Sequence, residues 1–285
     1  MFSLRSKIDK LYWFARSLLH RLADLYLRVP LHLIWPTLRT DDKSSFVVSL
    51  TSFPARISSL WMVVECLLRQ KRKPRQILIY LDEGEFGNER TLPKSLTRRL
   101  RRGISVIWLS GGFRSYNKLV HSFGKIDIPV VTVDDDKYLP RNFLSNLLRW
   151  HDSHPNHIVG GRGWKLPGKH IEQGKFGEGW ERAVLGEEGQ HLFLPGVDGV
   201  LYPPRSLDPR VSDMGAAKKL SPTNDDIWFW AAARAAKTSF ICAGLPRLRS
   251  ISATSASPRL NQVNSAFVND QQLNKVVAFF RLKVA

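Results

Sequence analysis

The chain has 285 residues, 43% of them hydrophobic and 11% aromatic, with 43 Lys and Arg against 25 Asp and Glu and a net charge of +18. That composition excludes a disordered chain and is enough for one large domain or two small ones; the charge favours anionic partners such as nucleotide phosphates, acidic lipid or polyanionic glycan. Two cysteines, Cys66 and Cys242, exclude a disulfide framework and fit a reducing compartment, no stretch is apolar enough to span a bilayer, and the N-terminus lacks a signal-peptide h-region.

Residues 4–29 carry a helical pattern. Leu4, Ile8, Leu11, Leu18, Leu22, Leu25 and Tyr26 share one face, and Lys7, Lys10, Arg21 and Arg28 the other. Within 1–40 there are seven Lys and Arg and two Asp. Such a helix predicts an interfacial anchor on an anionic membrane surface, or else a helix packed on the core or a partner.

From Phe46 onward strands and helices alternate. Strands are predicted at 46–50, 76–81, 104–109 and 129–133, and helices at 57–70, 92–102, 116–123 and 140–152. This order implies an α/β fold with a mostly parallel, helix-covered sheet. The last of these strands, Pro129–Val133, is followed by Asp134, Asp135 and Asp136. Ligands of open α/β sheets bind at the carboxyl ends of strands. If the chain stays extended, Asp134 and Asp136 point the same way, and two hard oxygen donors suit Mg2+ or Mn2+. A solvated loop or a helix cap is the plainer alternative.

Between 160 and 199 lie 11 of the 19 glycines, with Trp164, Phe176 and Trp180 among them. Such a segment reads as an acceptor platform, a lid or an ordinary insertion. A strand follows at 197–202, then a loop. Asn224-Asp225-Asp226 opens a helix to about residue 237, where any of the three could be the N-cap. A final amphipathic helix spans 266–283.

Taken together, these motifs resemble those of GT-A glycosyltransferases, in particular the family-2-like enzymes of bacterial capsule or lipopolysaccharide synthesis. The resemblance covers roughly 45–260. It is carried by Thr51-Ser-Phe-Pro-Ala-Arg-Ile57, Asp82, Ser115-Tyr-Asn-Lys-Leu119, Val133-Asp-Asp-Asp136, Asp198-Gly-Val-Leu-Tyr-Pro203 and Asn224-Asp-Asp-Ile-Trp228. It implies a Rossmann-like sheet with helices on both faces in one domain, 41–285, preceded by the basic segment 1–40. The implied reaction is metal-dependent, inverting transfer of a sugar from a nucleotide-diphosphate donor, a UDP-sugar first, to a glycan or lipid-linked acceptor. The implied location is cytoplasmic, on the inner face of the membrane.

The resemblance also assigns roles. Asp136 and Asp134 match the metal-binding Asp-x-Asp, with Mn2+ or Mg2+. Thr51, Ser52, Arg56, Asp82, Lys118, Asp134, Asp135 and Arg259 are the residues the resemblance assigns to the donor nucleotide sugar. Asp226 matches the catalytic base, with Asp225 beside it. Trp164, Trp180, Asp198 and Trp228 are the acceptor-side candidates. Two departures stand out: the Gln-x-x-Arg-Trp motif of processive synthases is missing, and no histidine follows His191, so Arg259 or Asn264 would replace a C-terminal metal-binding histidine.

Two rival readings remain. A nucleotidyltransferase would also use carboxylate-bound metal, but no Gly-rich basic phosphate loop lies near the first strand. A non-catalytic binder of nucleic acid or an anionic surface is suggested by the charge. The basic runs at 69–75 and 98–102 read more readily as solvated faces, and nucleic acid is not the expected partner.

Overall fold

The computed structural model describes residues 18, 22, 25–27, 38–87, 91–167, 175–251 and 266–282. The strands are β1 (Val47–Thr51), β2 (Ile77–Asp82), β3 (Ile104–Leu109), β4 (Val130–Thr132), β5 (Lys137–Tyr138), β6 (Ile158–Gly160), β7 (Trp164–Lys165), β8 (Glu181–Arg182), β9 (Glu188–Gly189), β10 (Leu192–Phe193), β11 (Val200–Tyr202), β12 (Phe240–Cys242) and β13 (Arg249–Ser250). The α-helices are α1 (Pro54–Ile57), α2 (Leu60–Leu68), α3 (Glu83–Phe86), α4 (Lys94–Leu100), α5 (Asn117–Val120), α6 (Phe143–Ser153), α7 (Met214–Leu220), α8 (Asp225–Ala235) and α9 (Ala266–Phe280).

An eight-stranded sheet has the order β3-β2-β1-β4-β11-β6-β12-β9. β1 runs parallel to both β2 and β4, and β2 parallel to β3. β11 is antiparallel to β4 and to β6, and β12 is parallel to β6. The sheet is therefore mostly parallel, as the βα alternation predicts. Strand order reverses between β1 and β4, which opens a crevice at their carboxyl ends.

Alternation along each strand builds two cores. Val48, Leu50, Ile77, Ile79, Leu81 and Val131 face α2 and α6. Val47, Leu78, Tyr80, Val130, Val200 and Phe240 face α5, α8 and α9. β1 and β2 are buried on both sides, which is why they read as apolar runs.

Several elements differ from the sequence reading. β6, β12 and α7 were not predicted. β6 and β12 are three residues each, too short for a period to show. α7 carries its own start signal, Asp213, whose side chain accepts the Ala216 N–H. The predicted helix 116–123 is cut to the single turn of α5. The Gly-rich segment is no appendage: β9 joins the central sheet, and β10, β7 and β8 form a small antiparallel sheet beside it.

Most of the predicted helix 4–29 lies outside the described residues. Leu18, Leu22, Leu25, Tyr26 and Leu27 are helical. Leu27 is buried, whereas Leu18, Leu22, Leu25 and Tyr26 are 47%, 52%, 62% and 48% exposed. No helix of the described residues is long and apolar enough to cross a membrane.

Candidate active site

The residues at the crevice come from five places in the chain. After Val133 the backbone leaves the extended form and turns at Asp135 and Asp136. This overturns the expectation that Asp134 and Asp136 point together. Asp135 and Asp136 share one cation, with Arg56 Nη1 2.7 Å from Asp135 Oδ1 and 3.6 Å from Asp136 Oδ2. Asp134 pairs instead with Lys118, at 3.4 Å.

Asp135 is nearly buried and accepts a 2.6 Å hydrogen bond from Ser52 Oγ. Burial raises its pKa against the pull of Arg56 and Ser52. Burial works against the Arg56 guanidinium too, but Asp135 and its neighbours hold its pKa above the usual value. Asp136 has Lys137 Nζ 3.1 Å from Oδ1, and Lys137 also donates to Ser250 Oγ across the β5–β13 pair. Lys137 was missed by sequence reasoning, although it directly follows the aspartates.

The second half of the site is the start of α8. Asn224, not either aspartate, is the N-cap: its side chain accepts the Ile227 N–H and donates to Asn269 on α9. The capping alternative for Asp225 and Asp226 is thereby removed. Asp225 Oδ2 lies 3.0 Å from Lys118 Nζ, and Asp226 Oδ1 accepts the Gly196 N–H at 3.1 Å. Burial disfavours the Lys118 ammonium, yet Asp225, Asp134 and Asp226 together hold its pKa well above the lysine range. Asp226 is pushed up to about 7, first by burial and then by Asp225, with Lys118 opposing. A helix N-terminus favours a carboxylate, but here burial and a like charge outweigh it.

Gly196 explains how these groups fit. A Cβ there would lie 2.9 Å from both Asp226 Oδ1 and Lys118 Nζ. Only a residue without a side chain lets the backbone donate to Asp226 at that distance. Tyr116, just before Lys118, ties the two halves together by donating from its hydroxyl to the Ser221 carbonyl.

The cluster thus holds five carboxylates, at Asp134, Asp135, Asp136, Asp225 and Asp226. Among the described residues three cations face them, at Arg56, Lys118 and Lys137, so the carboxylates are in excess. That surplus, made of hard oxygen donors, fits a divalent cation. Among the described residues no three carboxylate, His or Cys side chains form a metal cage. A divalent cation here would take one or two of these carboxylates and draw its remaining ligands from elsewhere. Asp134, with its side chain 28% exposed, is the more open donor; Asp136, only 8% exposed, already has a cation at each oxygen.

The other expected site residues fall elsewhere. Thr51 spends its hydroxyl on the Tyr80 carbonyl, at 2.8 Å. Ser52 is a support for Asp135. Asp82 ends β2, caps Gly84 at 2.9 Å and packs where a Cβ on Gly112 would stand 2.0 Å from its carboxylate.

Two acceptor-side expectations are corrected. Asp198 is fully buried, 2.8 Å from Arg162 Nε and accepting the Leu248 N–H, so it braces the loop between β12 and β13. Trp228 is also fully buried, donates to the Val211 carbonyl and stacks on Phe279. Its helical spacing is that of core. Trp164 and Trp180 are half-buried, and Trp180 sits among Phe176 and Phe193. Arg259 and Asn264 lie outside the described residues.

No family model and no curated protein sequence matches this chain. Solved structures do. The chain is similar to TarS of S. aureus in complex with UDP-GlcNAc, at 12% identity over 83% of this chain and 73% of that one, with a TM-score of 0.47. It is similar to the mannosyltransferase PcManGT of Pyrobaculum calidifontis in complex with GDP-Man and Mn2+, at 12% identity over 96% and 79%, with a TM-score of 0.42. It is also similar to a CMP:2-keto-3-deoxy-manno-octonic acid synthetase complexed with CTP, at 11% identity over 72% and 91%, with a TM-score of 0.43. Likenesses of this size do not separate sugar transfer from nucleotidyl transfer.

Proposed function

We propose that the chain is a metal-dependent glycosyltransferase that moves a sugar from a nucleotide-diphosphate donor to a hydroxyl acceptor with inversion. The observation that supports this most is Asp226. It is a half-buried carboxylate whose pKa is pushed up to about 7, at the carboxyl-end crevice, beside a cluster short of positive charge. A general base works best when its pKa is close to the operating pH.

In this reading Asp226 accepts the proton of the attacking acceptor hydroxyl, and the Gly196 N–H orients it. Asp225 and Lys118 set its charge. Asp134, the more open of the aspartates, would hold Mn2+ or Mg2+, which when bound neutralises charge on the leaving diphosphate. Arg56 and Lys137 hold Asp135 and Asp136 in place. Asp82, at the end of β2, is assigned to the nucleotide; Trp164 and Trp180 are assigned to the acceptor side, where sugar faces stack on aromatic rings. A UDP-sugar as donor, and a bacterial surface glycan or its lipid-linked precursor as acceptor, rest on the motif resemblance alone.

The test is a panel of nucleotide sugars offered to the protein with Mn2+. One or more should raise the melting temperature and be slowly hydrolysed to the nucleoside diphosphate, with chelator abolishing both effects. A panel in which no nucleotide sugar binds with or without metal would refute the assignment.

A further inference from the structure

At the amino-terminal ends of β1 and β2, opposite the aspartates, lies a cavity of about 740 Å3. Its position is fixed by backbone hydrogen bonds from Asp41 to Pro74, from Arg75 to Phe46 and from Lys71 to Arg141. The volume is in the range of ligand sites. Arg39, Lys71, Lys73, Arg141, Arg69 and Tyr26 line it, with Asp41 and Asp42.

Arg69 is committed to Glu65 and to the Tyr26 and Leu27 carbonyls. Among the described residues Arg39, Lys71, Lys73 and Arg141 have no carboxylate partner, so four cations face two aspartates. Lys73 donates only to the Leu68 carbonyl. Its pKa is lowered to about 8, by burial first and then by Arg141 and Arg102. The cavity therefore lacks negative charge where the active-site cluster has too much.

A second observation names the source of the anion. The helical residues around Tyr26 dock through buried Leu27 and through Arg69, which donates to the Tyr26 and Leu27 carbonyls and lies over the Tyr26 ring. Leu18, Leu22 and Leu25, at helical spacing, face solvent. An apolar helix face beside a basic recess is the pattern of a bilayer surface, where leucines enter the acyl boundary and cations meet headgroups. A soluble phosphate would need the recess and have no use for the leucines.

We propose that this cavity binds the phosphate of an anionic lipid headgroup, through Arg39, Lys71, Lys73 and Arg141, while Leu18, Leu22 and Leu25 rest in the adjoining bilayer.

The experiment uses the full chain and sedimentation with vesicles of phosphatidylcholine, alone or with phosphatidylglycerol. Wild-type protein should bind only the vesicles containing phosphatidylglycerol. Arg39, Lys71 and Arg141 are exposed, so R39Q/K71Q/R141Q should keep its melting temperature. It should bind roughly 5-fold more weakly per cation removed, on the order of 100-fold in all. Lys73→Met alone should weaken binding several-fold and serves if the triple variant does not fold. L18S/L22S/L25S should also weaken binding while leaving nucleotide-sugar turnover in solution unchanged.

Equal binding of wild type and the cation variants would overturn the proposal, since the helix alone would then be the anchor. Thermal protection by inorganic phosphate without any vesicle binding would also overturn it, in favour of a free phosphate ligand.

Discussion

The two ends of the parallel strands both bury charge, and they balance it differently. At the amino-terminal end Glu65, 1% exposed, meets three guanidiniums: Arg69 at 2.9 Å, Arg99 at 2.8 Å and Arg102 at 3.0 Å. Burial alone would raise its pKa, but the three arginines outweigh it and the net shift is downward. Other guanidinium donors go to the Tyr26, Leu27, Ser95 and Leu38 carbonyls, while Arg102 Nη2 has no partner among the described residues. This hub ties Tyr26, Leu27 and Leu38 to α2 and α4. At the carboxyl end five carboxylates meet three cations, and Asp226 is left with a pKa of about 7. At the first end the excess guanidinium donors turn to backbone carbonyls; at the second the excess carboxylates are the candidates to meet a ligand or a metal.

The sharpest way to break this contrast is to neutralise one carboxylate at each end. Asp226→Asn should lower sugar transfer by about 10²–10⁴-fold and keep donor binding, read from kcat and the donor's thermal protection. Stability should move the other way. Asp226 has a raised pKa, so the wild-type fold binds the extra proton between the unfolded value of 3.8 and about 7. Wild-type stability conferred by that proton is full at low pH and lost as pH rises through about 7. The Asn variant should lack this decline, and so gain on wild type above pH 7 in a denaturant series. Normal transfer by Asp226→Asn would remove the base from this position.

Glu65→Gln should do the reverse. Three buried guanidiniums would lose their counter-charge, at a cost of about 3–5 kcal/mol, with turnover per folded molecule unchanged. Chemical denaturation and active-site-normalised rates measure the two halves. If transfer fell while stability held, the two ends would be coupled and the contrast wrong.

Asp134→Asn should reduce metal-dependent turnover by on the order of 10²-fold, if the cation contributes several kcal/mol to the leaving group. It should raise the Mn2+ concentration needed for half-maximal rate. A smaller effect than that of Asp136→Asn would shift the main metal donor to Asp136. The mildest change is Gly196→Ala, whose Cβ would crowd Asp226 and Lys118. Loss of one hydrogen bond, about 1 kcal/mol, predicts a rate roughly 5-fold lower with the pH optimum displaced.

Much of this was legible in the sequence because the central strands are buried on both faces and their apolar runs are continuous. The order of β1 to β4 and the carboxylates at their ends follow from that. What could not be read is where a side chain goes after a strand stops. Asp134 and Asp136 part because the chain turns at Asp135, and strand alternation no longer applies. Asp198 and Trp228 resemble site residues in one dimension, but Arg162 and the α9 phenylalanines claim them. Gly196 and Lys137 gave no signal of their own, since their importance lies in contacts made 30 and 113 residues away.

The most direct measurement is the identity of the phosphorus product. Protein and Mn2+ are given either a nucleotide sugar with an acceptor mixture or a nucleoside triphosphate with free and phosphorylated sugars, and both are followed by 31P NMR, with Asp226→Asn in parallel. The account predicts that nucleoside diphosphate accumulates with wild type and not with the variant, and that no pyrophosphate forms. Pyrophosphate released from a nucleoside triphosphate and a sugar substrate, with nucleotide sugars left intact, would contradict it and make the chain a nucleotidyltransferase.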